Sequence, residues 1–183
     1  MMASRMNIGI SQDELNNHFD RYKTCIPSKK PFIGSYNQNL DMLIDEKEYP
    51  SYAYIENAKY QYFLNGKEKK EEDIIATSRN EDSWDYGSAY IRGAQTNILK
   101  IKNKNALIDK KILIFRDSYQ APTTWLFADL FSEVKIVDPR NIDKIDKTYE
   151  EIIKESNSDI VMFMYNSSGF DSMIDKMIEK GIK

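Results

Sequence analysis

From residue 106 onward, short apolar runs alternate with stretches whose apolar residues recur at helical spacing. Ile112-Leu-Ile-Phe115 is bounded by charge on both sides and is too short for a helix, so it reads as a buried strand. Pro122 then opens an apolar helical run through Trp125, Leu126, Phe127, Leu130 and Phe131, predicted as a helix over about 122–131. A strand over 134–137, a helix over about 142–155, a strand over 160–165 and a helix over about 170–180 complete the series. That β-α-β-α-β-α order predicts an α/β fold: a parallel sheet with flanking helices and right-handed crossovers. The unbroken run Ile160-Val-Met-Phe-Met164 suits a strand buried on both faces, and Gly181 reads as a helix stop.

The first third has a different texture. Ser11-Gln-Asp-Glu14 has the form of a capping box, and Leu15, Phe19 and Tyr22 follow at helical spacing, predicting a helix over 12–22. Pro27 and Pro31 bracket a loop. Between 32 and about 100, tyrosines cluster, turn residues recur and apolar runs are short. Asn65-Gly66 after Tyr60-Gln-Tyr-Phe-Leu64 is a strong hairpin signal, and the charged stretch 68–73 reads as a solvated edge. The expected organisation is an amino-terminal helix and linker over 1–30, an irregular β-containing segment over 31–105 and an α/β part over 106–183, together one compact domain.

Composition narrows the function classes. The 183 residues are 41% hydrophobic and 30% charged, enough for a core and for solubility. The net charge of −3 is spread as mixed signs, so no basic face points to general nucleic-acid binding. The abundance of Asn, Lys and Ile reflects base-composition bias and carries no functional content. Cys25 is the single cysteine, which excludes an internal disulfide and a multi-cysteine metal site; a buried thiol is the expectation. There is no apolar run of membrane-spanning length and no apolar leader near Met1, a start also compatible with an internal start codon. No dinucleotide, phosphate-loop or His-Glu-x-x-His motif is present, so no cofactor or metal is called for.

Chemistry is expected where the three parallel strands end. The first ends in Arg116-Asp117-Ser118, the second in Asp138-Pro139-Arg140-Asn141 and the third in Tyr165-Asn166-Ser167-Ser168-Gly169. Open α/β sheets bind ligands at the carboxyl ends of their strands, so Ser118, Asp138, Arg140 and Asn166 are expected to share one cleft. Ser118 would face the positive end of the following helix, a good seat for a nucleophile. Each residue also has a plain structural role open to it: Ser118 as a helix cap, Asp138-Pro139 as a turn opener, Asn166 as a turn former.

The block Lys111-Ile-Leu-Ile-Phe-Arg-Asp-Ser-Tyr-Gln-Ala-Pro, the later Phe131-Ser-Glu-Val-Lys-Ile-Val-Asp-Pro-Arg-Asn-Ile and Asp159-Ile-Val-Met-Phe-Met-Tyr-Asn166 together resemble the DHHW family. These are bacterial proteins similar to SGNH hydrolases, related to alginate O-acetyltransferases and cell-surface polymer acylation. Upstream, Pro31-Phe-Ile-Gly-Ser-Tyr and Tyr86-Gly-Ser-Ala-Tyr also resemble family segments. The resemblance implies an SGNH or flavodoxin-like sheet, Ser118 as nucleophile, Asn166 as oxyanion donor and further donors from main-chain N–H groups beside Ser118. It also implies an Asp-His-His-Trp motif that supplies the base, and this sequence has none. His18, in Asn16-Asn-His-Phe-Asp20, is the sole histidine and does not match it. Counted one place before Phe19, it falls on the more polar side of the first helix, where an exposed or structural role is expected over a catalytic one. His18 and Asp117 complete the catalytic candidates; Asp138 and Arg140 are the candidate substrate contacts.

The expected function is therefore an acyl-ester hydrolase or O-acetyltransferase domain acting on a bacterial surface polymer. It is incomplete or inactive as given, because a serine hydroxyl needs an adjacent base. The partner would be an acylated polysaccharide or an acyl donor. The family works outside the cytoplasm, though this sequence shows no export signal. The alternative is a non-catalytic module that binds sugars through its tyrosines, Trp84 and Trp125, or an interaction module that binds another protein.

Overall fold

The computed structural model describes residues 8–23, 54–56, 58–74, 98–139 and 147–179, in two compact units. The first unit comprises 1–58 and 75–95, the second 59–74 and 96–183. Cys25, Trp84 and the segments at 31–36 and 86–90 lie outside the described residues.

In the first unit, helix α1 (Gln12–Phe19) begins at the capping box read from the sequence. The Ser11 hydroxyl accepts the Glu14 N–H at 3.2 Å, and the Glu14 carboxylate accepts the Ser11 N–H at 2.8 Å. The helix stops at Phe19, earlier than expected, and Tyr22 lies instead in strand β1 (Tyr22–Lys23), antiparallel to β2 (Tyr54–Ile55). Leu15 and His18 form its buried stripe, three residues apart on one face, whereas Phe19 is exposed.

The second unit is a six-stranded mixed sheet in the order β4-β3-β5-β7-β6-β8. Its strands are β3 (Gln61–Leu64), β4 (Lys67–Lys69), β5 (Ile98–Lys102), β6 (Ile108–Arg116), β7 (Phe131–Val137) and β8 (Ile160–Met164). Strand β6 pairs in parallel with both β7 and β8, as the alternating pattern predicts. On the far side of β7, strands β5, β3 and β4 continue the same sheet in antiparallel register, so the middle third supplies sheet. The β3–β4 hairpin turns at Asn65 (φ 49°) and Gly66 (φ 79°), the paired left-handed conformations of a type I′ turn.

Ile112 to Phe115 are fully buried, because helices cover β6 on both faces. The run of six residues after β6, Ser118–Thr123, is a 3-10 turn that leads into α2 (Thr124–Leu130). Trp125 of α2 meets Tyr62 edge to face at 5.8 Å. Tyr62 stands in the ladder row Tyr62–Ile101–Val134–Ile112, so α2 covers that face. On the opposite face Tyr149 and Ile152 of α3 (Tyr149–Ser156) pack with Leu113, Phe115 and Val137, and Met177 of α4 (Ser167–Glu179) packs against the same cluster. Helices leaving β6 and β7 thus lie on opposite faces, and the chain order β7-β6-β8 reverses direction at β6.

One expectation is corrected. Strand β8 is not buried on both faces: Val161 and Phe163 are exposed at 37% and 38%, while Ile160, Met162 and Met164 are half-buried. Among the described strands β8 is the sheet's edge, so its row on the face of Leu113 and Phe115 has only partial cover, including Phe115 stacked on Phe163 at 5.1 Å.

Candidate functional site

The rim at the carboxyl ends of β7, β6 and β8 is where the sequence places its chemistry. Arg116, the last residue of β6, pairs in register with Met164 of β8, and the Asp117 N–H donates to the Met164 carbonyl at 3.2 Å. Asp117 then turns the chain. One carboxylate oxygen accepts the Tyr119 N–H at 2.9 Å, which caps the 3-10 turn; the other accepts the Asn166 N–H at 2.8 Å. This buried side chain therefore joins the segment that carries Ser118 to the segment that carries Asn166. Charge-assisted bonds of this kind are about twice as strong as neutral ones.

The third strand end is tied in through Arg116. Its guanidinium is 1% exposed, lies 3.8 Å from the Asp138 carboxylate just past β7, and donates to the Asp117 carbonyl at 3.2 Å. A buried cation needs such partners, since removing either one leaves a desolvated charge. Positions 117, 138 and 166 are thus assembled on one rim by Arg116 and Asp117.

The individual residues fare differently. Ser118 opens the 3-10 turn directly after Asp117. Asn166 is half-buried, and its main-chain N–H donates to the Asp117 carboxylate. The Tyr119 N–H, a main-chain donor expected beside the serine, is likewise bonded to Asp117. Asp117 has both carboxylate oxygens occupied by backbone N–H groups, the geometry of a positioning residue. Asp138 is buried against Arg116, so it props the rim from inside. Arg140 lies outside the described residues.

His18 is corrected. It is 4% exposed, with ring contacts at 6.0 Å to Phe19 and Tyr22, so it is a packed side chain of the first unit and not a residue on a polar helix face. The i to i+3 step from Leu15 carries it inward, whereas the apolar spacing in the sequence runs from Leu15 to Phe19 at i+4. Trp125 is also interior, at 4% exposure between Tyr60 and Tyr62, which removes it as an exposed sugar-stacking face. Among the described residues no three His, Cys, Asp or Glu side chains gather as metal ligands.

Nothing local in the sequence marks Arg116 and Asp117 as organisers of the rim, although both stand in the block from Lys111 to Pro122. A carboxylate that bonds a backbone N–H 49 positions away leaves no spacing signal. The one available cue was Asp before a turn, which caps the residue two places on.

Fold and rim together define an α/β protein with its polar strand ends gathered where the sheet's chain order reverses, the ligand position of doubly wound sheets. No family model matches the chain, and no curated protein does. Solved structures do. The chain is similar to a DHHW family protein from Eubacterium siraeum at 19% identity and a TM-score of 0.68, covering 100% of this chain and 58% of that one. It is also similar to PatB1 from Bacillus cereus with a sulfonyl adduct, at 20% identity and a TM-score of 0.61, covering 82% of this chain and 48% of that one. A second PatB1 structure gives 19% identity and a TM-score of 0.59, covering 82% and 50%. At these identities the likeness shows a shared fold. The chain spans about half to three-fifths of the length of the solved structures it matches.

Proposed function

We propose that this chain carries the serine side of an SGNH-like acyl-ester site, a hydrolase or O-acyltransferase site for an acylated bacterial surface polymer. Ser118 is the nucleophile. Its Oγ adds to the acyl carbon while its proton passes to a histidine base. The resulting oxyanion takes hydrogen bonds from the Asn166 side-chain amide, and collapse expels the alcohol with the proton returned to it. The acyl-serine is then resolved by water, giving a free acid, or by a polymer hydroxyl, giving a new ester.

One observation carries this assignment: Asp117, the residue before Ser118, is bonded directly to the Asn166 N–H, so nucleophile and oxyanion donor belong to adjacent strand ends. The similarity to PatB1 supports it, because that protein was solved with a sulfonyl adduct, the product an activated nucleophile forms with a sulfonylating reagent. The missing part is the base. His18 is packed in the first unit, and no Asp-His-His-Trp occurs in the sequence. General-base help is worth roughly 10²- to 10⁴-fold in rate, so these 183 residues alone are expected to turn over esters slowly.

Hydrolysis of an aryl acetate with and without added imidazole tests the proposal. Imidazole is expected to raise the protein-dependent rate above the sum of the separate rates, and Ser118→Ala is expected to abolish that gain. An identical gain in the alanine variant would assign the activity elsewhere.

A further inference from the structure

On the face of the sheet that carries α3, the helix covers β6 and leaves a cleft over β5 and β7. The cleft is open to one side, holds about 590 Å3, and is lined in part by Phe63, Ile98 and the flank of α3. Its floor holds an arrangement that folding alone disfavours. Phe63, Lys100 and Lys135 form one row across β3, β5 and β7, so the two lysines are direct cross-strand neighbours on the same face. Like charges directly opposed across a ladder are destabilising. A third lysine, Lys147, lines the wall.

Two carboxylates also line the cleft, and both are engaged: Glu133 pairs with Lys102 at 3.6 Å, and Glu155 with Lys147. Among the described residues, no carboxylate lies within ion-pair distance of Lys100 or Lys135. Lys100 sits over the Phe63 ring, its ammonium 4.8 Å from the centroid. Desolvation pushes the Lys135 ammonium below the ordinary lysine range; Glu155 and Glu133 oppose that shift, while Lys147 and Lys100 add to it.

We propose that this cleft binds a small organic oxyanion, its charged group held between Lys100 and Lys135 and its flat apolar body against Phe63 and Ile98. An anion between the two ammonium groups relieves their repulsion. Lysine acts there as a point charge, which suits a phosphate or a carboxylate equally. The site is separate from the serine chemistry and does not depend on it.

Calorimetric titration of the folded chain at low salt with inorganic phosphate, phenyl phosphate and benzoate tests the proposal. Phenyl phosphate is expected to bind more tightly than inorganic phosphate because its ring fills the cleft. Lys100→Gln and Lys135→Gln are each expected to weaken binding about tenfold, the loss of one charge-assisted bond. Lys135→Arg keeps the charge and is expected to retain binding, which separates loss of the site from loss of fold. Benzoate against phenyl phosphate decides which oxyanion the site prefers. Absence of binding by all three probes, or binding unchanged in both glutamine variants, overturns the proposal.

Discussion

The Asp117 carboxylate accepts the Asn166 main-chain N–H at 2.8 Å, across 49 positions of sequence. Its other oxygen holds the Tyr119 N–H, so one side chain fixes the exits of β6 and β8 relative to each other. Asp117→Asn replaces one acceptor with an amide NH2 that faces a donor. The expected loss is about 1–3 kcal/mol of stability, the penalty for an unsatisfied buried group. Urea unfolding measures it; a change near zero would mean that the tie does little in solution.

The capped helices give a pH signature. Hydrogen bonds from the Ser11 backbone, then its side chain, hold the Glu14 carboxyl below its usual range; those from Thr148 do the same for Glu151 at the start of α3. A carboxyl lowered in the folded state stabilises above its unfolded value, about 4.3, and that contribution fades as pH falls through the folded value. The stability difference between wild type and Glu14→Gln/Glu151→Gln is therefore expected at neutral pH and expected to shrink steadily below pH ~4. Thermal unfolding across that range checks the sign. A difference independent of pH would contradict it.

Among the described strands β8 is an uncharged edge, and its Val161 and Phe163, on the face of Leu113 and Phe115, are partly exposed. Unprotected edges template strand addition, and a lysine on the edge blunts this. Val161→Lys is expected to reduce light scattering during refolding while changing stability by no more than about 0.5 kcal/mol, the usual range for surface sites. Unchanged scattering would show that the edge is not what associates.

The parallel core was legible because Ile112-Leu-Ile-Phe115 is apolar at every position, a pattern that needs cover on both faces. The Asn65-Gly66 turn and the Ser11 capping box are legible because their chemistry is local, whereas the Thr148–Glu151 box falls inside the helix expected over about 142–155. Strand β5 has no place in the expected series, although Leu99 and Ile101 alternate with lysines in the period of two that marks a strand. The run that Pro122 was expected to open begins earlier and tighter, because Asp117 caps a 3-10 turn and the α-helix waits until Thr124. His18 was misplaced by one helical step, the difference between i+3 and i+4, which sequence spacing does not separate on a short helix. The tie between Asp117 and Asn166 depends on tertiary register and leaves no local trace.

In the proposed function the serine after Asp117 is a nucleophile seated on this rim. Peptide mass spectrometry after treatment of the folded protein with an aryl sulfonyl fluoride, in the presence of imidazole, tests it most directly. A sulfonyl adduct on the peptide that contains Ser118, absent from the unfolded protein and from Ser118→Ala, is the expected result. A folded protein with no adduct at Ser118, or one equally modified at other hydroxyls, would contradict the account.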